Sequence, residues 1–559
     1  MSLLKKGEAK KPLRTTGRGA GSTQSSLRPQ RVLKKAPCVA NCPAGNDIRS
    51  WFGLIAQRQK LGISEEEALT RAWRVLAETN PFPAVLGRVC PHPCEKTCNR
   101  EAKDGSVAIN ALERHIGDWG IEKKLGLTKL DEAPKPESIG VIGAGPAGLS
   151  FAYQLARRGY RVTVYEKAPE AGGMLYWGIP FYRLPADVLR AEVQRIVDLG
   201  VDLKLNTKVG QDISVDELKR KHKVLFLGVG ADKGRLMKVP GEEGPGVWTG
   251  TDLLYRVNKR EKLELGQKVA VIGGGDTAID AARAARRVGA DVTILYRRTR
   301  AEMPAIDSEI EDAIKEGIHL ELLVAPVAIK REGDKVRAVV VQKMELGDPD
   351  ESGRRRPVPV VGSEYDVAVD SIIAAISQEP DWRPLEGLKP ASKWLEPDKS
   401  GKISEGVWAG GDVINLGLAT IAVGQGRLAA EAVHAHLSGQ EPEKKIELQI
   451  VAKERIKLDV YDAKPRTQQA HRPVEEWLTK PDEEISQGIT RDQFLEEITR
   501  CFSCGQCYGC ERCWMFCTPS CFTKVSPPSH GNYYAIKIET CDGCKKCADE
   551  CPCGFLDMA

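Results

Sequence analysis

The chain has 559 residues, 42% of them hydrophobic, and a formal net charge of +5. That length calls for three or four domains, the apolar content is that of an ordinary globular protein, and the charge is too small to indicate a nucleic-acid partner. No apolar stretch reaches the length of a bilayer span and no signal-peptide core follows Met1, so neither a membrane span nor secretion is expected.

Residues 1–36 are rich in Lys, Arg, Ser and Gly, with Glu8 the only acid. They read as a flexible basic arm that cannot bury enough apolar surface to fold alone. Residues 37–130 have a helical pattern and carry Cys38, Cys42, Cys90, Cys94 and Cys98. Within them Ser64, followed by Glu65, Glu66 and Glu67, predicts a capped helix start.

From residue 137 to 440 strands and helices alternate, with residues 137–250 and 365–440 read as one domain and residues 251–364 as a second. The buried-strand pattern Ile139–Ile142 runs into Gly143-Ala144-Gly145-Pro146-Ala147-Gly148, and the next strand ends at Glu166. This is a dinucleotide fingerprint in context. Gly143 allows the tight turn, Gly145 lets the backbone approach a pyrophosphate, and Gly148 lets helix pack on strand. Glu166 stands where a carboxylate accepts from a ribose. Gly173 and Met174 follow in a Gly-Gly segment that can pass closely over a ligand. Far downstream, Gly411 and Asp412 form a turn between strand and helix, suited to a flavin's ribityl or phosphate groups.

A second fingerprint follows strand Lys268–Ile272: Gly273-Gly274-Gly275-Asp276-Thr277-Ala278. Its second strand ends in Tyr296-Arg297-Arg298, with no acid there. A carboxylate would repel a 2′-phosphate and guanidinium forks bind it, so Arg297 and Arg298 favour NADPH over NADH. Residues 441–500 are charged and read as a linker with short helices.

Residues 501–559 hold Cys507-x2-Cys510-x2-Cys513-x3-Cys517 and Cys541-x2-Cys544-x2-Cys547-x3-Cys551. In such runs three thiolates hold one [4Fe–4S] cluster and the fourth crosses to the other. Cys507, Cys510, Cys513 and Cys551 are therefore expected at one cluster, and Cys541, Cys544, Cys547 and Cys517 at the second. Zinc seldom uses such a run twice. Thiolate-bound clusters need a reducing compartment, hence a cytoplasmic protein. Trp514, Met515 and Phe516 are candidates to shield a cluster from water, or plain core. Cys501, Cys504, Cys521 and Cys553 are left for a further partial site or for packing.

Taken together, residues 38–437 resemble the glutamate synthase small (beta) subunit and its relatives. The stretches that carry the resemblance are Val89-Cys90-Pro91-x-Pro93-Cys94, the two glycine turns, Gly178-Ile179-Pro180, Tyr296-Arg297-Arg298 and Ala409-Gly410-Gly411-Asp412. The resemblance implies FAD in the first site, NAD(P)H in the second, hydride transfer between them, and a redox partner or catalytic subunit in an oligomeric complex. It implies a fold class of two Rossmann-like α/β domains, preceded by a helical Fe–S domain and followed by an α+β bacterial ferredoxin-like domain. Relatives usually place a CxxC pair ahead of the position of Cys38 and build two clusters there; this chain has no cysteine before Cys38. The resemblance therefore implies one N-terminal cluster, held by Cys42, Cys90 and Cys94. Its fourth ligand would be Glu113, with Cys38 and Cys98 as remnants, or one of those two would replace the carboxylate. No catalytic acid, base or nucleophile is expected, because the chemistry belongs to the cofactors.

Overall fold

The computed structural model describes residues 25–351, 353–390, 392–440 and 446–559. Four amphipathic helices, Ile48–Ala56, Glu65–Ala77, Pro83–Val89 and Ile109–Glu122, form the N-terminal domain around Trp51, Phe52, Trp73 and Phe82. The Ser64 hydroxyl caps the second helix by accepting from Glu67 N–H at 3.1 Å. Glycines let two of these helices touch backbone to backbone: a Cβ on Gly117 would lie 2.3 Å from Ala84 N. That contact sets Cys90, which caps the third helix, against Glu113 on the fourth.

The first α/β domain has a sheet in the order Lys402–Ser404, Val407–Ala409, Val224–Leu227, Ser138–Ile142, Arg161–Tyr165, Asp202–Lys204. Its inner strands are buried on both faces, as parallel strands between helices must be. The second domain has an all-parallel sheet in the order His319–Leu322, Asp291–Tyr296, Lys268–Ile272, Ser371–Ala374, Val247–Thr249. The boundaries expected at residues 250 and 365 therefore move. Val247–Thr249 and Ser371–Ala374 lie in the second sheet, where Ile372 pairs with both Ala270 and Val247. Two short strands, Lys233–Gly234 and Gln378–Glu379, pair antiparallel where the chain crosses between the domains.

Two other expectations change. Residues 446–500 carry the expected short helices, Val474–Thr479 and Arg491–Ile498, but are packed more than a linker would be: Trp477, Phe494, Ile498, Glu497 and Arg500 are buried. Arg500 donates to Glu497, Asp104 and the carbonyls of Gly105 and Ser106, while Glu497 accepts from the N–H groups of Ala108 and Thr467. Nor is residue 36 the end of a free arm. Pro29–Arg31 pairs antiparallel with Leu556–Met558, because the closing strand of the ferredoxin-like domain offers an edge and the arm supplies its partner. Residues 1–24 lie outside the described residues. Among the described residues, no helix is long and apolar enough to cross a membrane.

Candidate redox centres

In the first glycine turn a Cβ on Gly148 would lie 2.0 Å from Gly143 O, so helix Pro146–Ala156 meets its strand at a separation only glycine permits. Gly145 begins that helix with no side-chain cap, and Pro146 occupies its first turn, so backbone N–H groups face the turn. Glu166 is buried. Its oxygens accept from Ala144 N–H at 2.7 Å and Ala168 N–H at 2.9 Å, which fixes the carboxylate beside the turn and leaves lone pairs for a ribose. Gly173 crosses opposite Gly145, where its Cβ would lie 2.8 Å from Gly145 Cα, and Met174 starts the next short helix. Gly411 N–H donates to Gln425 at 2.7 Å, and a Cβ there would lie 3.0 Å from that of Ala147. Asp412 accepts from Gly417 N–H at 3.1 Å, and burial pushes its carboxyl up to about 6. Gly173 against Gly145 and Gly411 against Ala147 bring these groups together at the start of the helix, and they fit an extended dinucleotide.

The second turn repeats the plan. Gly275 starts helix Asp276–Arg287 without a side-chain cap, and Thr277 and Ala278 enter its first turn. A Cβ on Gly273 would lie 2.3 Å from Ala375 O. Asp276 accepts from Ile306 N–H at 3.0 Å, and Ala305 N–H donates to Gly274 O. The segment Glu302–Ile306, to which sequence reasoning gave no role, thus folds back over the turn. The arginine pair divides. Arg298 is buried, donating to Arg355 O at 2.7 Å and pairing with Asp350 at 2.5 Å, so its fork is spent within the fold. Arg297 is exposed just past the strand end.

Cys42, Cys90 and Cys94 gather around Glu113. Burial and then the carboxylate charge raise the Cys90 thiol to about 12, and Cys94 is raised further. Burial pushes Glu113 up to about 8, and Asn80 and Asn46 both donate to its Oε1, at 2.8 and 3.4 Å, which leaves the other oxygen for a metal. Such thiols ionise when a cation takes the proton's place. Helix Ala419–Ser438, which follows the Asp412 turn, touches this group. A Cβ on Gly424 would lie 2.2 Å from Pro43 O, and the buried Thr420 hydroxyl faces the Cys90 thiol within reach of a hydrogen bond. Sequence reasoning missed Thr420, Asn80 and Asn46, which carry no spacing signal. Cys38 and Cys98 are not in this group; they lie with Cys501 and Cys504.

In the C-terminal domain Cys507, Cys510, Cys513 and Cys551 line one cavity, walled by Tyr508, Phe522, Tyr533 and Tyr534. Cys517 neighbours Cys541, Cys544 and Cys547. The fold thus brings each fourth cysteine to the other run. Met515 and Phe516 are exposed, so the shielding expected of them falls to the tyrosines and Phe522 instead. Cys553 sits 3.9 Å from Cys551, and the hydrogen bond between the two thiols lowers that of Cys551. Cys521 donates its N–H to Cys517 Sγ at 3.2 Å. Among the described residues no three Cys, His, Asp or Glu side chains close on a single metal ion.

The fold and the two glycine cradles define a two-nucleotide oxidoreductase. Residues 137–426 match the pyridine nucleotide-disulphide oxidoreductase family, and residues 20–125 match dihydropyrimidine dehydrogenase domain II, 4Fe–4S cluster. The chain belongs to the pyridine nucleotide-disulphide oxidoreductase family. It is 36% identical over 538 residues to the NADP(+)-dependent formate dehydrogenase subunit beta of Moorella thermoacetica, covering 87% of this chain and 73% of that one. It is 35% identical to the NADPH-Fe(3+) oxidoreductase subunit beta of Geobacter sulfurreducens, over 84% of this chain and 75% of that one. It is also 35% identical to the glutamate synthase [NADPH] small chain of Azospirillum brasilense, over 71% and 86%. The protein is an iron–sulfur flavoprotein oxidoreductase, with FAD, NAD(P)H and [4Fe–4S] clusters as cofactors.

Proposed function

We propose that this protein is the NADPH-oxidising subunit of a larger cytoplasmic assembly and delivers electrons to a partner protein from its C-terminal domain. FAD, when bound, exchanges a hydride with the nicotinamide, and the clusters exchange single electrons. The first glycine cradle would bind FAD through Gly145–Gly148, Glu166 and Asp412. The second would bind the nicotinamide nucleotide through Gly273–Ala278, with Arg297 on the 2′-phosphate. Cys42, Cys90, Cys94 and Glu113 would hold one cluster and the two ferredoxin runs two more.

The observation that carries the reading is the contact of helix Ala419–Ser438 with the Glu113 group through Thr420 and Gly424, which sets the flavin cradle against the first cysteine site. In the C-terminal domain Cys544 is exposed, as are the apolar residues Met515 and Phe516, between Cys513 and Cys517, and Ile538, three residues before Cys541. A partner protein fits there. Relatives named as subunits of formate dehydrogenase and glutamate synthase support an assembly.

Anaerobic titration with NADPH tests the reading. The flavin absorbance should bleach, iron–sulfur absorbance should follow, and an artificial dye should be reduced catalytically. A flavin that neither NADPH nor NADH bleaches would overturn it in favour of an electron-transfer and assembly subunit with an inactive nicotinamide site. Copurification from the native host would identify the partner.

A further inference from the structure

Cys501 and Cys504 lie outside both ferredoxin runs, and Cys38 and Cys98 lie outside the Glu113 group. The fold brings these four together. Asn99, next to Cys98, reaches Cys504 Sγ with its amide nitrogen at 3.5 Å. Arg100 donates to Arg500 O, next to Cys501, at 2.9 Å. The Thr97 hydroxyl donates to Pro37 O, next to Cys38, at 3.4 Å. Arg49 bridges Lys34 O and Cys504 O at 2.8 and 2.9 Å. Bonds from residues 49 and 97–100 therefore tie the segments bearing all four cysteines into one unit.

The thiols themselves are neighbours. The charges of Cys501, Cys504 and Cys98 all act on Cys38, after the larger effect of its burial. Ser503 N–H points at Cys501 Sγ from 3.4 Å, the backbone contact that a cluster thiolate accepts. Three guanidiniums surround the set: Arg49 and Arg100 act on Cys501, and Arg500 acts on Cys98. Arg100 is itself held by Asp104, at 2.5 Å. Four thiolates in a buried place repel one another, and nearby fixed cations offset that charge.

We propose that Cys38, Cys98, Cys501 and Cys504 are the four ligands of an additional [4Fe–4S] cluster, in a site assembled from the two ends of the chain. This rests on the reading of the chain as an iron–sulfur protein. The site adjoins both others in sequence: Cys38 and Cys98 are each four residues from a Glu113-group cysteine, Cys42 and Cys94, and Cys504 is three residues from Cys507. It is placed to link the N-terminal and C-terminal iron–sulfur sites.

The test is iron and acid-labile sulfide analysis of the full chain, reconstituted anaerobically, beside a Cys501→Ala/Cys504→Ala double variant. The variant should lose about four irons and four sulfides per chain relative to the parent, and reduced-state EPR should lose one cluster's spins. Equal iron in the two proteins would overturn the proposal, as would loss of zinc in place of iron. Should the variant fail to fold, alkylation of the unmutated chain decides. Cys501 and Cys504 should resist labelling until the iron is stripped, and labelling of both with full iron content overturns the site. NADPH bleaching of the flavin in the unmutated chain reports separately on the proposed function.

Discussion

The Glu113 group takes all its members from residues 42–113, whereas the neighbouring group takes two from residues 38 and 98 and two from residues 501 and 504. The surroundings differ as much as the origins. Carboxylates face the first: Glu113, with Glu95 and Glu192 near it. Guanidiniums face the second: Arg49, Arg100 and Arg500, with Glu95 also acting on Cys98 and with Asp104 and Glu497 pairing two of the three. Two sites four residues apart in sequence along two segments are thus given different charged neighbours, with guanidiniums only around the second. Electrostatics of this kind, together with hydrogen bonds to sulfur and burial, sets the potential of an iron–sulfur centre. With guanidiniums among its neighbours, the second site should be the easier of the two to reduce.

That contrast can be broken from either side. The largest effect is expected from Arg500→Ala. It strips the partner from the fully buried Glu497 and unties Asp104, so the chain should lose about 3–5 kcal/mol of stability. Iron should leave the four-cysteine site before the Glu113 site. Chemical denaturation and iron content follow the two losses, and equal depletion of both sites would show that they are not independently built.

Gly117→Ala attacks the other member of the pair. The new methyl would collide with the backbone at Ala84, prise the two helices apart and move Glu113 away from Cys90, at a cost of up to about 3 kcal/mol. Iron should fall at the Glu113 site alone. A smaller effect is expected at the flavin cradle next to it. Asp412 has a carboxyl raised to about 6 by burial, so the folded chain holds that proton more tightly than the unfolded chain. Its contribution is fully present below the ordinary carboxylate range and is lost as pH rises through about 6. Asp412→Asn should remove roughly 2 kcal/mol of this pH dependence between about pH 4 and pH 6, measured by denaturing the flavin-free chain at each pH. The smallest effect belongs to Arg297→Glu, which should raise the KM for NADPH about tenfold, or about 1.4 kcal/mol, and leave that for NADH nearly unchanged. Equal effects on the two nucleotides would remove Arg297 from the 2′-phosphate.

Much of this was legible locally. The Gly143–Gly148 and Gly273–Ala278 turns read correctly as strand-to-helix junctions, because a tight turn, a backbone approach and a helix contact each demand glycine at a fixed spacing. The cysteine spacings in residues 507–551 were as plain. Arg298 read as a phosphate ligand because its partner Asp350 is 52 residues away. Residues 446–500 read as a linker because their apolar residues are few and their charges many, yet Glu497 and Arg500 among those charges are buried as a pair. The spacing Cys501-x2-Cys504 was itself a signal, but nothing near it said which other thiols it would meet.

The sequence by itself determined the parts: two glycine cradles, a helical cysteine domain and a ferredoxin module, each written in residues a few positions apart, where covalent geometry limits the conformations a turn can take. Only the tertiary structure decided which parts touch. It closed Pro29–Arg31 on Leu556–Met558, set Thr420 beside Cys90 and joined Cys38 and Cys98 to a pair some 400 residues on. Contacts between distant segments depend on burial and charge pairing summed over the whole chain, and no short window of sequence records that sum.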